Sequence, residues 1–211
     1  MDERKLAIAS FTKSGGSWLT WMLIDIIHRP SYFCDQTEKK QLDKLISKTE
    51  GKTKKLPDIH LIRHPLDVCC SAYNYLLLTD RAKQDFNQFI ESFYSTNGRV
   101  FGSGNWTLFV QWAEKCQHQI KYDELCEDPE REIRKILGDI DIRDTLEKYS
   151  LEALRVREGK KELKRPTNNN YTFFNKASSF YYKELMTEAQ IRKGNETFKE
   201  HIEKYWPKEL V

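Results

Sequence analysis

The sequence lacks any apolar run that approaches the roughly 20 residues of a membrane span, and its first residues hold too short an apolar stretch for a signal peptide. It also lacks internal repeats, heptads and low-complexity tracts. Its five cysteines are odd in number and show no CxxC spacing, which argues against a disulfide framework and against a zinc knuckle. We therefore expect a soluble, cytoplasmic protein with no membrane partner.

An excess of charge of one sign is missing as well. The chain has 35 basic and 32 acidic residues, which leave a net charge of +3, and its lysines are spread along the chain. This balance argues against a general nucleic-acid binder. A length of 211 residues with 39% hydrophobic residues suffices for one core and would be cramped for two. We predict a single domain over residues 1–211.

Strand-like and helix-like segments alternate along the chain. The pattern predicts strands in KLAIAS, Ser31–Cys34, DIHLIR and HQIKYDEL. It predicts helices over Ser17–Ile27, TEKKQLDKLISKT, HPLDVCCSAYNYLLL, the aromatic stretch Phe86–Lys115 and DPEREIRKIL. Such alternation indicates an α/β fold: a single doubly wound domain with a central parallel β-sheet flanked by helices. In such sheets, ligands bind at the carboxyl ends of the strands.

The stretch SFTKSGGSWLTW has the composition of a phosphate-binding loop. It joins a strand to a helix through Gly15 and Gly16, so unpaired backbone N–H groups and the helix dipole both favour an anion there. Lys13 adds a positive charge. In the nucleotide-triphosphate motif GxxxxGK[ST], however, the lysine follows the last glycine, whereas Lys13 precedes both. The loop is therefore P-loop-like rather than an ATP or GTP loop, and a plain strand-to-helix turn is the alternative.

A second segment, LIRHPLDVCCSAYNYL, offers another anion site. Arg63 falls where a strand ends and Ser71 lies two turns into the following helix, so a guanidinium fork and a hydroxyl can converge on one phosphate. The alternative is that Arg63 pairs with Asp67 and that Ser71 only fills space. In a third segment, Tyr122 ends a strand and can reach a ligand there.

These segments resemble the sulfotransferases that use 3′-phosphoadenosine 5′-phosphosulfate (PAPS) as donor. TKSGGSW resembles the family loop TYPKSGTTW, and IRHPLDVCCSAYNY resembles RNPKDVAVSYY. KYDELCEDPEREIRKIL resembles YEDLKENPxxEIxKI, and FFNKASSFYYKELMTEAQ resembles FxRKGxxGDWKNHFTxAQ. Order and spacing are kept from Lys13 to Ala189, and four motifs in order are specific where one alone is not.

The resemblance implies an enzyme that moves the sulfonate of PAPS to a hydroxyl, or to an amine, and releases PAP with no metal. It implies that Lys13 stabilises the charge that builds on the leaving phosphate. It implies cofactor contacts from residues of all four motifs and from YSLEAL: Lys13, Ser14, Gly15, Gly16, Ser17, Trp18, Arg63, Ser71, Tyr122, Ser150 and Lys176. The literal RKG at Arg192 to Gly194 falls outside the aligned motif, and we predict a surface helix there.

The family's general base is not matched, because this chain has no KTH motif at the end of its second strand. The predicted second strand is followed by CDQTE, which makes Asp35 the candidate base, with Glu38 or a histidine as alternatives. The partner expected from the resemblance is a small-molecule, glycan or peptide hydroxyl, and neither its identity nor the oligomeric state follows. A PAP-binding protein without catalysis and a P-loop kinase are the competing hypotheses.

Overall fold

The computed structural model describes residues 6–27, 46–49, 55–101, 104–160 and 179–210. These residues contain one sheet of four parallel strands in the order β2-β1-β3-β4. The strands are β1 (Leu6–Ser10), β2 (Ile46–Thr49), β3 (Ile59–Ile62) and β4 (His118–Lys121). The sequence prediction of a parallel α/β sheet is confirmed.

Helices connect and cover these strands. In chain order they are α1 (Gly16–Ile27), α2 (Pro65–Leu78), α3 (Phe86–Ser95), α4 (Trp106–Ala113), α5 (Tyr122–Glu127), α6 (Pro129–Leu137), α7 (Arg143–Lys148), α8 (Leu151–Gly159), α9 (Tyr182–Leu185), α10 (Glu188–Thr197) and α11 (Lys199–Tyr205). Predicted and observed helix starts agree closely where side chains cap the first turn. The Asp85 carboxylate, for example, accepts the N–H of Gln88 at the start of α3, and the Asp128 carboxylate caps α6.

The two faces of the sheet bury separate apolar clusters, as a doubly wound fold requires. Ile8 packs in one cluster with Leu19 of α1 and residues of α5 and α6. Its neighbour Ala9 packs in the other cluster with Leu66 of α2 and residues of α3, α4 and α11. Successive strand residues thus point to opposite faces, and both faces are covered by helices.

The second strand is where the sequence prediction was wrong. The segment TEKKQLDKLISKT was predicted to be helical, but its last four residues form β2. Ile46 pairs with Leu6 and Thr49 pairs with Ala9, so hydrogen bonding to β1 outweighs the helical spacing of the apolar residues. Residues 37–45 and the predicted strand Ser31–Cys34 lie outside the described residues.

The strand order places a topological switch point between β1 and β3. From β1 the chain continues to β2 on one side of the sheet, and β3 and β4 lie on the other side. Helices after β1 and β3 therefore cover opposite faces, and a crevice opens between the carboxyl ends of these two strands. Both segments that the sequence singles out follow these ends. A single domain over residues 1–211 stays a prediction.

The literal RKG sequence lies in α10, so the predicted helix there is confirmed. One side of this helix is packed, however, because Gly194 and Asn195 are buried. A Cβ atom added at Gly194 would lie 2.4 Å from Leu66 Cδ2 of α2 and 2.7 Å from the Tyr94 hydroxyl of α3. The glycine thus lets α10 approach both helices closely.

We expect Gly194→Ala to destabilise the fold by about 1 to 3 kcal/mol, because the added methyl group overpacks the contact with Leu66 and Tyr94. In a domain of this size this lowers Tm by roughly 2 to 4 °C per kcal/mol, which differential scanning calorimetry measures. Gly159→Ala is the matched control, since a Cβ there meets nothing within 4 Å. Equal Tm values for the two variants would contradict the close-packing role of Gly194.

Candidate active site

The loop between β1 and α1 contains two glycines, and a different structural constraint requires glycine at each position. Gly15 has φ +85°, and a Cβ there would lie 2.6 Å from Cε2 of Tyr122. Gly16 has no left-handed backbone, but its Cβ would lie 2.4 Å from the Ser10 hydroxyl. Any larger side chain would displace the loop from the strand ends. The glycines therefore hold the amino terminus of α1 directly at the crevice.

Hydrogen-bonding groups at this terminus are left for an anion. The first N–H groups of α1 have no acceptor within the helix, and the helix has no acidic residue in its first turn. The Ser14 side chain is 1% exposed, and its hydroxyl has no hydrogen-bond partner among the described residues. A buried hydroxyl without a partner is destabilising, and a hydrogen bond to a ligand would remove this cost. This is the environment that a phosphate group satisfies.

Lys13 lies in the same loop in a left-handed conformation, with φ +67°. Its ammonium nitrogen lies 4.3 Å from the centroid of the Tyr75 ring on α2. Its carbonyl oxygen accepts a hydrogen bond of 3.0 Å from the Arg63 guanidinium. Left-handed backbone is strained for a residue other than glycine, and such strain concentrates at functional sites. The contacts from Tyr75 and Arg63 hold Lys13 in this conformation.

A second lysine, which sequence reasoning did not single out, approaches the loop from β2. Lys48 Nζ lies 3.5 Å from the Ser17 hydroxyl, and its Cδ would be 2.9 Å from a Cβ on Gly16. Because Lys48 was assigned to a helix, it was not considered as a site residue. The available signal was the pair Lys48-Thr49, which matches the first two residues of the KTH motif. The loop is thus flanked by two cations, Lys13 and Lys48.

Arg63 follows β3 and is the second anion-binding group. Its guanidinium carbon lies 4.2 Å above the centroid of the Tyr122 ring, and the side chain is buried. One amino group binds the carbonyl of Lys13, while Nε has no partner among the described residues. The predicted alternative pair with Asp67 is not the arrangement found: the Asp67 oxygens accept backbone N–H groups of Phe180 and Tyr182. Ser71 lies on α2, eight residues after Arg63.

Aromatic side chains border the crevice beside α1. Trp18 and Tyr122 meet edge to face, with ring centroids 6.3 Å apart. The Trp18 indole donates a hydrogen bond of 2.9 Å to the carbonyl oxygen of Tyr149. Ser150 is next in the chain, and its hydroxyl accepts the N–H of Ala153 as the cap of α8. Tyr122 opens α5 directly after β4, and burial raises the pKa of its hydroxyl.

The structure therefore brings together most of the predicted residues. Lys13, Gly15, Arg63 and Tyr122 are linked by direct contacts, and Trp18 joins them through Tyr122. Ser14, Gly16 and Ser17 belong to the same loop, Ser71 lies on the helix that follows Arg63, and Ser150 follows Tyr149. Asp35, Glu38 and Lys176 lie outside the described residues. Within the described part of the chain, no three metal-ligating side chains form a group.

The ring of His64, the residue after Arg63, is buried among aromatic side chains. Its ring stacks on Tyr182 at 4.7 Å and meets Trp206 edge-on at 5.0 Å. Neither ring nitrogen has a partner among the described residues. Burial, with the charges of Lys183 and Arg63, lowers the pKa of His64 from 6.5 to about 3. The imidazole is therefore neutral at pH 7, and its burial between Tyr182 and Trp206 makes it a packing group.

His64→Phe should make the fold less sensitive to acid. Because the pKa of His64 is lower in the folded state, the unfolded chain binds more protons between pH 6.5 and about 3, and stability is lost as the pH falls. Phenylalanine keeps the stack on Tyr182 and removes this proton, so the slope of stability against pH should fall by up to about 1.4 kcal/mol per unit. Urea unfolding at pH 4.5 to 7.5 measures it. An unchanged slope would show that His64 is not buried as a neutral ring.

The strand order and the helices on both faces define a doubly wound α/β protein, with a glycine loop and a buried arginine at its switch point. The family model "Sulfotransferase domain" matches residues 45–205, and the chain belongs to this family of sulfonate-transferring enzymes. The match begins at β2, after the phosphate loop. No curated protein matches the sequence.

Solved structures of the same fold cover nearly the whole chain, including the phosphate loop. The crystal structure of mouse sulfotransferase SULT7A1 complexed with PAP has a TM-score of 0.72 at 19% identity, and the match covers 97% of this chain and 86% of that one. Retinol dehydratase in complex with androsterone and inactive cofactor PAP has a TM-score of 0.68 at 14% identity, with 96% and 81% covered. At these identities the likeness establishes the fold. No helix among the described residues is long and apolar enough to cross a membrane.

Proposed function

We propose that this sulfotransferase uses PAPS as its donor and transfers the sulfonate to an acceptor hydroxyl. One observation carries the proposal: the ends of β1 and β3 present two separate anion sites, each with a buried donor that has no partner among the described residues. These donors are the Ser14 hydroxyl and Arg63 Nε. PAPS carries phosphate at both its 5′ and 3′ positions, so it fits a crevice with two such sites. ADP and ATP lack the 3′-phosphate.

The loop after β1 and the start of α1 bind the 5′ side of the donor. The N–H groups at the start of α1 and the hydroxyls of Ser14 and Ser17 bind the 5′-phosphate, and Gly15 and Gly16 allow it to approach the backbone. When bound, PAPS supplies the sulfonate as its sulfur–oxygen bond to the 5′-phosphate breaks and a bond to the acceptor oxygen forms. Lys13 and Lys48 place positive charge beside this loop, where they stabilise the charge that collects on the leaving phosphate.

Arg63 and α2 bind the 3′ side of the donor. The free Nε of Arg63 and the Ser71 hydroxyl bind the 3′-phosphate, with Lys176 as a further proposed ligand. Trp18 and Tyr122 provide an aromatic border for the adenine, and Ser150 lies beside it. The contacts of Arg63, Trp18 and Tyr122 support the assignment, because hydrogen bonds or ring contacts orient these three side chains before the nucleotide binds.

For the general base we propose a carboxylate. Asp35 was chosen because it follows a predicted second strand, but the strand beside β1 is Ile46–Thr49. Parallel pairing of Thr49 with Ala9 brings the end of β2 to the edge that carries the phosphate loop. Glu50 is the next residue in the chain, where the KTH motif has its histidine. Glu50 therefore joins Asp35 as a candidate, and the acceptor proton passes to one of these carboxylates as the oxygen attacks sulfur.

The acceptor remains a hydroxyl of a small molecule, glycan or peptide. Androsterone and retinol were bound to retinol dehydratase in the matching structures, and they belong to that protein. The cytoplasmic location is proposed from the number and spacing of the cysteines. A PAP-binding protein without catalysis is the competing function, because the histidine base of the family is replaced.

A thermal-shift comparison of PAP, ADP, AMP and magnesium-ATP at equal concentration tests the donor. We expect PAP to stabilise the chain most: a ligand at 100 times its Kd adds about 2.7 kcal/mol, or roughly 2 to 4 °C for each kcal/mol. Arg63→Ala should remove the preference for PAP over ADP. Arg192→Ala, in the literal RKG sequence, is the matched control and should keep it. Stabilisation by magnesium-ATP alone would support the kinase hypothesis instead.

Transfer of labelled sulfonate from PAPS to acceptor mixtures then tests catalysis and the base. The variants Glu50→Gln and Asp35→Asn are compared. We expect Glu50→Gln to lower turnover by about 10² to 10⁴-fold and to leave PAP affinity unchanged, because only proton removal is lost. Lys13→Ala is the reference for loss of charge stabilisation and should retain part of the PAP binding. A selective loss in Asp35→Asn would return the role to Asp35. No transfer by the wild-type chain to any acceptor, with PAP binding intact, would favour the non-catalytic binder.

A further inference from the structure

Asp67 is a buried carboxylate beside a site that binds anions. It lies in the first turn of α2, four residues after Arg63, and its side chain is 2% exposed. Burial raises the pKa of this carboxyl group, which the Arg63 charge and two backbone hydrogen bonds oppose. A negative charge so close to Arg63 weakens the attraction of that arginine for a phosphate. The carboxylate therefore needs a reason other than electrostatic help to the ligand.

Its hydrogen bonds give that reason. One oxygen accepts the N–H of Phe180 at 2.8 Å and the other accepts the N–H of Tyr182 at 3.1 Å, more than 110 residues along the chain. Phe180 has φ +60°, a left-handed conformation that a bulky residue seldom adopts. The Asp67 carboxylate thus holds this strained turn by accepting the N–H groups of Phe180 and Tyr182.

The same turn packs on the residue after Arg63. The Tyr182 ring stacks on the His64 ring with an interplanar angle of 12°, and the Phe180 ring meets His64 edge-on at 5.9 Å. Lys183 N and Glu184 N bond back to the carbonyls of Phe180 and Tyr181, which makes the turn compact. The turn is therefore fastened to the start of α2 by two hydrogen bonds and by ring contacts.

We propose that Asp67 is a positioning residue for the 3′-phosphate site: by holding the Phe180–Tyr182 turn against His64, it fixes the segment on which Arg63 sits. The proposal rests on the PAPS donor proposed above. It assigns no ligand contact to Asp67. It also accounts for a carboxylate next to a phosphate-binding arginine, since the geometry gained for Arg63 outweighs the charge that opposes the phosphate.

Asp67→Asn separates geometry from charge, because the two effects have opposite signs. If Asp67 positions Arg63, the variant should bind PAP roughly tenfold more weakly, as expected for the loss of a charge-assisted hydrogen bond, while ADP affinity is unchanged. If only its charge mattered, the variant would bind PAP more tightly. Isothermal titration with PAP and ADP measures both affinities. Asp144→Asn, an exposed carboxylate in the first turn of α7, controls for the change in net charge.

A second variant tests whether the strained turn transmits the effect. Tyr182→Leu removes the stack on His64 and leaves the backbone N–H groups that Asp67 binds, so it should weaken PAP binding and leave ADP binding unchanged, as Asp67→Asn does. An unchanged PAP preference in this variant would show that the turn does not act on Arg63 through His64. Amide hydrogen exchange without ligand should show faster exchange at Phe180 and Tyr182 in Asp67→Asn.

The outcomes separate this inference from the proposed donor. A wild-type chain that does not prefer PAP over ADP would overturn both. A wild-type chain that prefers PAP, with the full preference kept in Asp67→Asn, would overturn only the role of Asp67. Equal loss of PAP and ADP affinity would also overturn it, because that result indicates general disruption of the crevice.

Discussion

The hydrogen bond from Arg63 to the carbonyl oxygen of Lys13 joins the two halves of the site. Lys13 belongs to the loop after β1 and Arg63 follows β3, so the bond spans the switch point of the sheet. It orients a buried guanidinium and stabilises a loop residue with φ +67°, a conformation that costs about 1 to 3 kcal/mol outside glycine. Without this link, the two anion sites would belong to two independent loops.

In the proposed function, the burial of Arg63 makes the crevice selective for anions. A buried guanidinium must be compensated, and here the Lys13 carbonyl and the face of the Tyr122 ring do so only in part, because Nε keeps no partner among the described residues. Asp67 lies in α2, four residues after Arg63, and both of its carboxylate oxygens accept backbone N–H groups of another segment. An incoming phosphate therefore finds a guanidinium that is already desolvated and oriented, with a donor still free.

Sequence reasoning found the parts of the site that follow strongly apolar strands. β1 is followed by a glycine turn and β3 by a proline, and both are mainly apolar. The sequence therefore predicts that Lys13 and Arg63 lie at their carboxyl ends. β2 could not be found this way. Its four residues, ISKT, carry a polar pattern and become a strand only through pairing with β1, and Lys48 was missed with it. Contacts across more than 100 residues, such as Asp67 with Phe180 and Tyr182, leave no local signal.

The carboxyl-terminal segment contacts the residues that follow β3 and β4. The Trp206 indole donates a hydrogen bond of 2.9 Å to Asp123, directly after Tyr122, and Lys121 donates to the carbonyl of Tyr205. Trp206 also packs on His64. The Arg63 guanidinium lies over the Tyr122 ring. Trp206 thus contacts Asp123, the residue after Tyr122, and His64, the residue after Arg63. Because those residues follow β4 and β3, the last segment adds side-chain contacts at the ends of two strands that already pair in the sheet. Long-range contacts thus hold the residues at these strand ends, although the proposed chemistry belongs to short loops.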